Sequence, residues 1–91
     1  MDLQIIKGSF KDVPLGFGAF AVMGIEGDSK HIWDKNNQAE IEAAKVLFNT
    51  LVKEKKYLAF KVNDKGDKGE QVREFDPKEE RYIFSPPLCG G

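Results

Sequence analysis

The fold class this sequence predicts is a single α+β domain, a mixed sheet packed against one long helix, and three observations predict it. From Ile41 onward, Ala44, Phe48, Leu51 and Val52 recur at helical spacing and make one apolar stripe, widened by Ala43 and Leu47. The segments on either side, Ala19 to about Ile25 and Tyr57 to Val62, alternate in strand fashion. At 91 residues, with 41% hydrophobic and 32% charged, the chain has a globular composition and room for one core only.

Leu3 to Lys7 is a candidate first strand, followed by a turn-rich stretch through Gly8, Pro14, Gly16 and Gly18. In the strand from Ala19, Phe20 and Val22 face one way and Ala21, Met23 and Ile25 the other. Glu26-Gly27-Asp28-Ser29 has turn chemistry, so Lys30 to Trp33 returns antiparallel and closes a hairpin. Asn37 is the helix cap, with Glu40 at the capping-box position. From Gln38 to Lys55 the helix spans about 27 Å. Glu40 and Glu42 near its start and Lys53, Lys55 and Lys56 near its end suit the helix dipole.

After the helix, alternation is expected to turn Leu58, Phe60 and Val62 toward the helix stripe. Asn63 to Gly69 is polar, glycine-rich loop. Gln71 to Phe75 is a further strand, and the phase mismatch of Val72 and Phe75 calls for a bulge or an edge position. Asp76-Pro77-Lys78-Glu79 has the signature of one short helical turn. Arg81 to Phe84 is the final strand, ended by Pro86 and Pro87. Residues 1–18 are an N-terminal extension or an extra edge strand, 19–85 the domain proper, and 86–91 an extended tail. The segment before Pro14 is expected to matter less to the core than the helix and the strand after it.

Lys plus Arg total 14 against 15 Asp plus Glu, a formal net charge of −1, so no long-range field draws the chain to nucleic acid or anionic membrane. No apolar run approaches the ~20 residues needed to span a bilayer, and Met1 to Phe10 lacks signal-peptide character. With Cys89 as the only cysteine, neither an intramolecular disulfide nor a cysteine-cluster zinc site is available, which fits a reducing, cytoplasmic setting.

The order hairpin, long helix, strand, strand, short turn, strand, ending in Gly90-Gly91, resembles the ubiquitin-like β-grasp family from about Ala19 to Gly91. The resemblance lies in element order and ending, not in a residue motif. The stretch before Ala19 and the Pro86-Pro87 pair depart from the family's usual form. The resemblance implies a protein modifier or sulfur carrier whose terminal Gly91 carboxylate is activated as an adenylate by an E1-like enzyme using ATP. Two residues without side chains thread easily through a narrow cleft, and the tail from Ser85 reaches about 20 Å when extended. The rival reading is a small non-enzymatic binding or structural module, such as a phage or assembly component, that meets a protein partner through an edge strand or aromatic patch.

No catalytic, metal or cofactor-binding residue is expected. Cys89 has no CxxC partner or neighbouring histidine to activate it, and His31 has no adjacent nucleophile or metal partner. Gly16-Phe17-Gly18 and Lys65-Gly66-Asp67-Lys68-Gly69 lack the strand–loop–helix context of phosphate-binding loops and are expected to be turns. Asp64 and Asp67 lack the calcium-loop spacing. Phe20, Phe48, Phe60 and Phe84 are assigned to the core. Trp33, Tyr57 and Tyr82, each with a polar group that tolerates partial exposure, are the residues expected either to anchor a protein partner or to close the edge of the core.

Overall fold

The helix stripe and the strands assemble into one α+β layer pair. The computed structural model describes residues 3–23 and 29–87. The strands are β1 (Gln4–Lys7), β2 (Phe17–Val22), β3 (Ser29–Asp34), β4 (Leu58–Val62), β5 (Lys68–Val72) and β6 (Arg81–Ser85), with helix α1 (Gln38–Asn49) between β3 and β4. They form a six-stranded mixed sheet in the order β1-β3-β2-β6-β4-β5. Only β2 and β6 run parallel, with Phe20 beside Tyr82 and Val22 beside Phe84; the other neighbours are antiparallel.

Asn37 caps α1 as expected, its side chain accepting from the amides of Ala39 and Glu40 at 3.0 and 3.3 Å. Glu40 does not close the reciprocal box. Its carboxylate accepts from the Asp34 amide at 3.0 Å and from Asn37 Nδ2 at 3.1 Å, tying the helix start to the end of β3. The α-helix stops at Asn49, short of the expected Lys55, and continues through Thr50–Glu54 as a π-helical turn closed by the Lys55 amide on the Thr50 carbonyl at 3.0 Å. Lys56 then adopts φ 61°, a left-handed stop that swings the chain into β4.

That exit sets the phase of β4, and it is the reverse of the expected one. Tyr57 and Ala59 face α1 and join the core, while Leu58 and Phe60 lie on the opposite face. Lys61 shows how this phase is tolerated. It shares a parity with Ala59, but at the sheet margin its ammonium meets Glu79 at 3.4 Å and Glu70 at 4.0 Å. A charged residue can therefore share the inner phase without burying its charge.

Other boundaries shift less. β2 begins at Phe17, so Gly18 is a strand residue and not a turn: a Cβ there would run into the Trp33 indole, and glycine admits that close approach. β5 starts earlier, at Lys68, and forms an edge whose ladder with β4 is irregular between Phe60 and Val62. Asp76 does not start a helix. Its carboxylate accepts from the Lys78 amide at 2.9 Å and its carbonyl from the Glu79 amide at 3.0 Å, a single turn. The core is chiefly aromatic: Phe20 lies 4.7–6.3 Å, centroid to centroid, from the rings of Trp33, Phe48, Phe75, Tyr82 and Phe84.

The N-terminal segment is built into the sheet. β1 pairs with β3 along its whole length, and Leu3 packs on the core. Ser9 caps the 3-10 turn Phe10–Asp12, with the Asp12 carboxylate accepting from the Ser9 amide at 2.8 Å. The expected turn from Glu26 to Asp28, together with Ile25, lies outside the described residues.

Candidate functional site

The expected partner aromatics are not at the surface. Trp33 and Tyr82 are fully enclosed, and Tyr57 is buried among the same core residues. A polar handle does not oblige a side chain to reach water when the protein supplies its partner. The Tyr82 hydroxyl accepts from the Asp76 amide at 2.9 Å and donates to the Asp76 carbonyl at 3.0 Å, which pins the β5–β6 connection over the core. Burial disfavours the phenolate and pushes the Tyr82 pKa up to about 12. Among the described residues the enclosed Trp33 indole N–H has no hydrogen-bond acceptor, and the indole is held by ring packing.

Gly90 and Gly91, with Cys89, lie outside the described residues; the described chain leaves β6 through the exposed Pro86 and Pro87. His31 is half-buried on the helix side of β3, opposite Phe20 and Ile5. Among the described residues no group of three or more His, Asp or Glu is placed to hold a metal, and no helix is long and apolar enough to cross a membrane.

What the reversed phase of β4 creates is an apolar strip on the sheet face away from α1. Phe60 stands opposite Ile83, and Ile83 in turn is beside Ala21, so the strip crosses β4, β6 and β2. Leu58, 38% exposed, flanks it, and Met23 at the end of β2 is 44% exposed. Lys68 on β5 carries its ammonium 5.4 Å from the Phe60 ring centre, a cation at the margin of an apolar surface.

Over β3 and β2 this face is closed. Lys30, though charged, is buried there, donating to the Gly8 carbonyl at 2.9 Å. Its ammonium also lies 5.5 Å from the Phe10 ring, and the Arg81 guanidinium lies 5.6 Å from the same ring. The 3-10 turn thus sits over the β3–β2 half, where Ala19 and Ile32 are buried. The open strip was hidden in the sequence because Tyr57 and Ala59 are apolar too. The available signal was Tyr57 itself, which a strand leaving the helix end places against the core, its amide donating a hydrogen bond to the Leu51 carbonyl at 2.8 Å.

No family model, curated protein or solved structure matches this chain.

Proposed function

We propose that this chain is a ubiquitin-like β-grasp protein that works by being recognised, a modifier or sulfur carrier whose Gly91 carboxylate is activated by an ATP-dependent adenylating enzyme. One observation carries the reading: after hairpin, helix and two further strands, β6 returns to the middle of the sheet parallel to β2. That layout is what a β-grasp requires, and it sends the chain out of the sheet centre through Pro86-Pro87 toward Gly90-Gly91. Proline stiffens the base of the tail, and glycine leaves its tip free of side chains. In the reaction the carboxylate attacks the α-phosphorus of ATP, pyrophosphate leaves, and a thiol or amine on a partner then displaces AMP from the acyl adenylate.

The test is incubation of protein ending at Gly91 with a co-encoded adenylating enzyme and ATP, followed by thiol trapping and intact-mass measurement. Activation is expected to survive Cys89→Ser and to vanish when Gly90 and Gly91 are deleted. Equal activation of intact and deleted protein would overturn the carrier reading.

A second reading, a non-enzymatic binding module, is favoured by the open strip of Phe60, Ile83, Leu58 and Met23. Exposed apolar surface bounded by polar residues is typical of protein-binding sites. Under that reading Phe60→Gln abolishes partner capture and the diglycine deletion leaves it intact; the reverse pattern rejects it.

A further inference from the structure

The two edges of the sheet are unequal. β5 presents Lys68, Gly69, Glu70 and Gln71, all exposed, beside an irregular ladder, and such an edge resists pairing with another strand. β1 presents Ile5, 52% exposed. Between β1 and α1 runs a hollow of about 360 Å³ lined by Leu3, Ile5, His31, Ala43, Val46 and Leu47 among others, and Val46 at its mouth is 63% exposed.

Hydrogen-bond alternation shows which backbone groups the β1 edge offers. The Ala19 and Met23 amides donate to β6-side carbonyls, and the Gly16 carbonyl accepts from the Lys35 amide, so the even residues of β2 bond β3. Phe20 and Gly18 then exchange bonds with His31 and Trp33, which leaves Lys30 and Ile32 to bond Ile6 and Gln4. The N–H and C=O groups of Leu3, Ile5 and Lys7 point away from the sheet. Their side chains share the helix side, since Ile5 is paired with His31 and His31 with Phe20.

We propose that this edge pairs with the same edge of a second copy, antiparallel about a two-fold axis through Ile5. The set Leu3, Ile5 and Lys7 is symmetric about Ile5. In that register Ile5 bonds Ile5 of the other copy and each Leu3 bonds the other's Lys7, so every outward backbone group of one strand meets its complement. No other register with both helices on one side pairs the whole set. The charges agree as well. Lys7 and Glu42 form no ion pair with another described residue. Glu42, whose carboxylate also accepts from Gln38 Nε2 at 3.1 Å, lines an adjoining hollow that shares Ala43 and Val46 with this one. Glu42 lies in the first turns of α1, which start from the end of β3 that lies beside the Leu3 end of β1. Each Lys7 therefore rises beside the other copy's Leu3, toward its Glu42. The two Ile5 side chains meet across the mouth of the hollow and cover Val46. With a net charge of only −1 per chain, repulsion does not oppose the pairing.

Sedimentation equilibrium and amide hydrogen exchange on the full chain test this. The expected result is a concentration-dependent dimer in which the Ile5 and Lys7 amides become protected as the dimer fills. Ile5→Pro removes an outward N–H together with the Ile5 side chain but no donor of the β1–β3 ladder, and Ile5→Lys sets like charges face to face at an exposed position. Both are expected to give monomers with unchanged circular dichroism. Lys7→Glu is expected to weaken the dimer several-fold, and adding Glu42→Lys to restore it. A chain that stays monomeric to millimolar concentration with freely exchanging Ile5 and Lys7 amides, or dimers unaffected by Ile5→Pro, would overturn the proposal and leave the edge to a strand from a different protein.

Discussion

The sheet face away from α1 has two halves, and they are treated in opposite ways. Over β3 and β2 the N-terminal turn lies on a surface of Ala19, Ile32 and Lys30, held by Phe10 between two cations. Over β6 and β4 the more apolar set of Ile83, Phe60 and Leu58 has no roof among the described residues. If burial alone decided placement, the roof would sit on the more apolar half. Its place on the other half indicates that the turn fastens β1 to the sheet.

The inner face sets the scale for breaking this comparison. Phe48 is fully buried, and Phe48→Ala is expected to cost about 3–5 kcal/mol in denaturant unfolding. A negligible change would remove the inner face as the seat of stability. Next is the phenol beneath the β5–β6 connection. Tyr82 keeps its proton in the folded protein to about pH 12, whereas an unfolded tyrosine loses it near pH 10. The folded state holds the extra proton, so this contribution is complete below pH 10 and is lost as pH rises from 10 toward 12. The loss amounts to about 2 kcal/mol, and Tyr82→Phe is expected to flatten that limb of the stability profile.

The roofed half should then respond more than the open half. Phe10→Ala removes a half-buried ring with two cation contacts and is expected to cost about 1–2 kcal/mol. Phe60→Gln on the open half is expected to cost at most about 1 kcal/mol, because this half-buried ring has one cation contact where Phe10 has two, and glutamine keeps part of its apolar stem. Equal melting shifts for the two would erase the distinction. A larger loss for Phe60 would make the open strip part of the structural core.

Legibility in the sequence followed how many neighbours each feature needed. Helix α1 could be read because Asn37, the apolar stripe and the terminal charges act within one segment. Its π-helical end could not, since Lys56 in a left-handed conformation answers to where β4 must begin. The alternation of β4 was legible but its phase was not: both parities carry apolar residues, and Lys61 misdirects until Glu70 and Glu79 are placed beside it. Trp33 and Tyr82 read either as partner anchors or as residues closing the core, and both lie in the core, the Tyr82 phenol satisfied by a single backbone amide and carbonyl from a loop six residues away. Gly18 reads as punctuation until the Trp33 indole is set against it. The open strip, made by one phase choice and one missing roof, had no signature of its own. The diglycine, legible at once as sequence, lies outside the described residues.

The position of β6 has a consequence for synthesis. As the chain emerges, the β2–β3 hairpin, α1 and the β4–β5 hairpin can each form from nearby residues, but β2 and β4 then both face an empty slot. Until Arg81–Ser85 arrive, the nascent protein has two additional raw edges, flanked by Phe20 and Ala59 with no Tyr82 or Phe84 to cover them. Closure depends on contacts between residues far apart in sequence, which are slow to form. The last of these six strands to be made acts as the zip of the sheet, and a chain arrested before it is the form most exposed to aggregation and to chaperones.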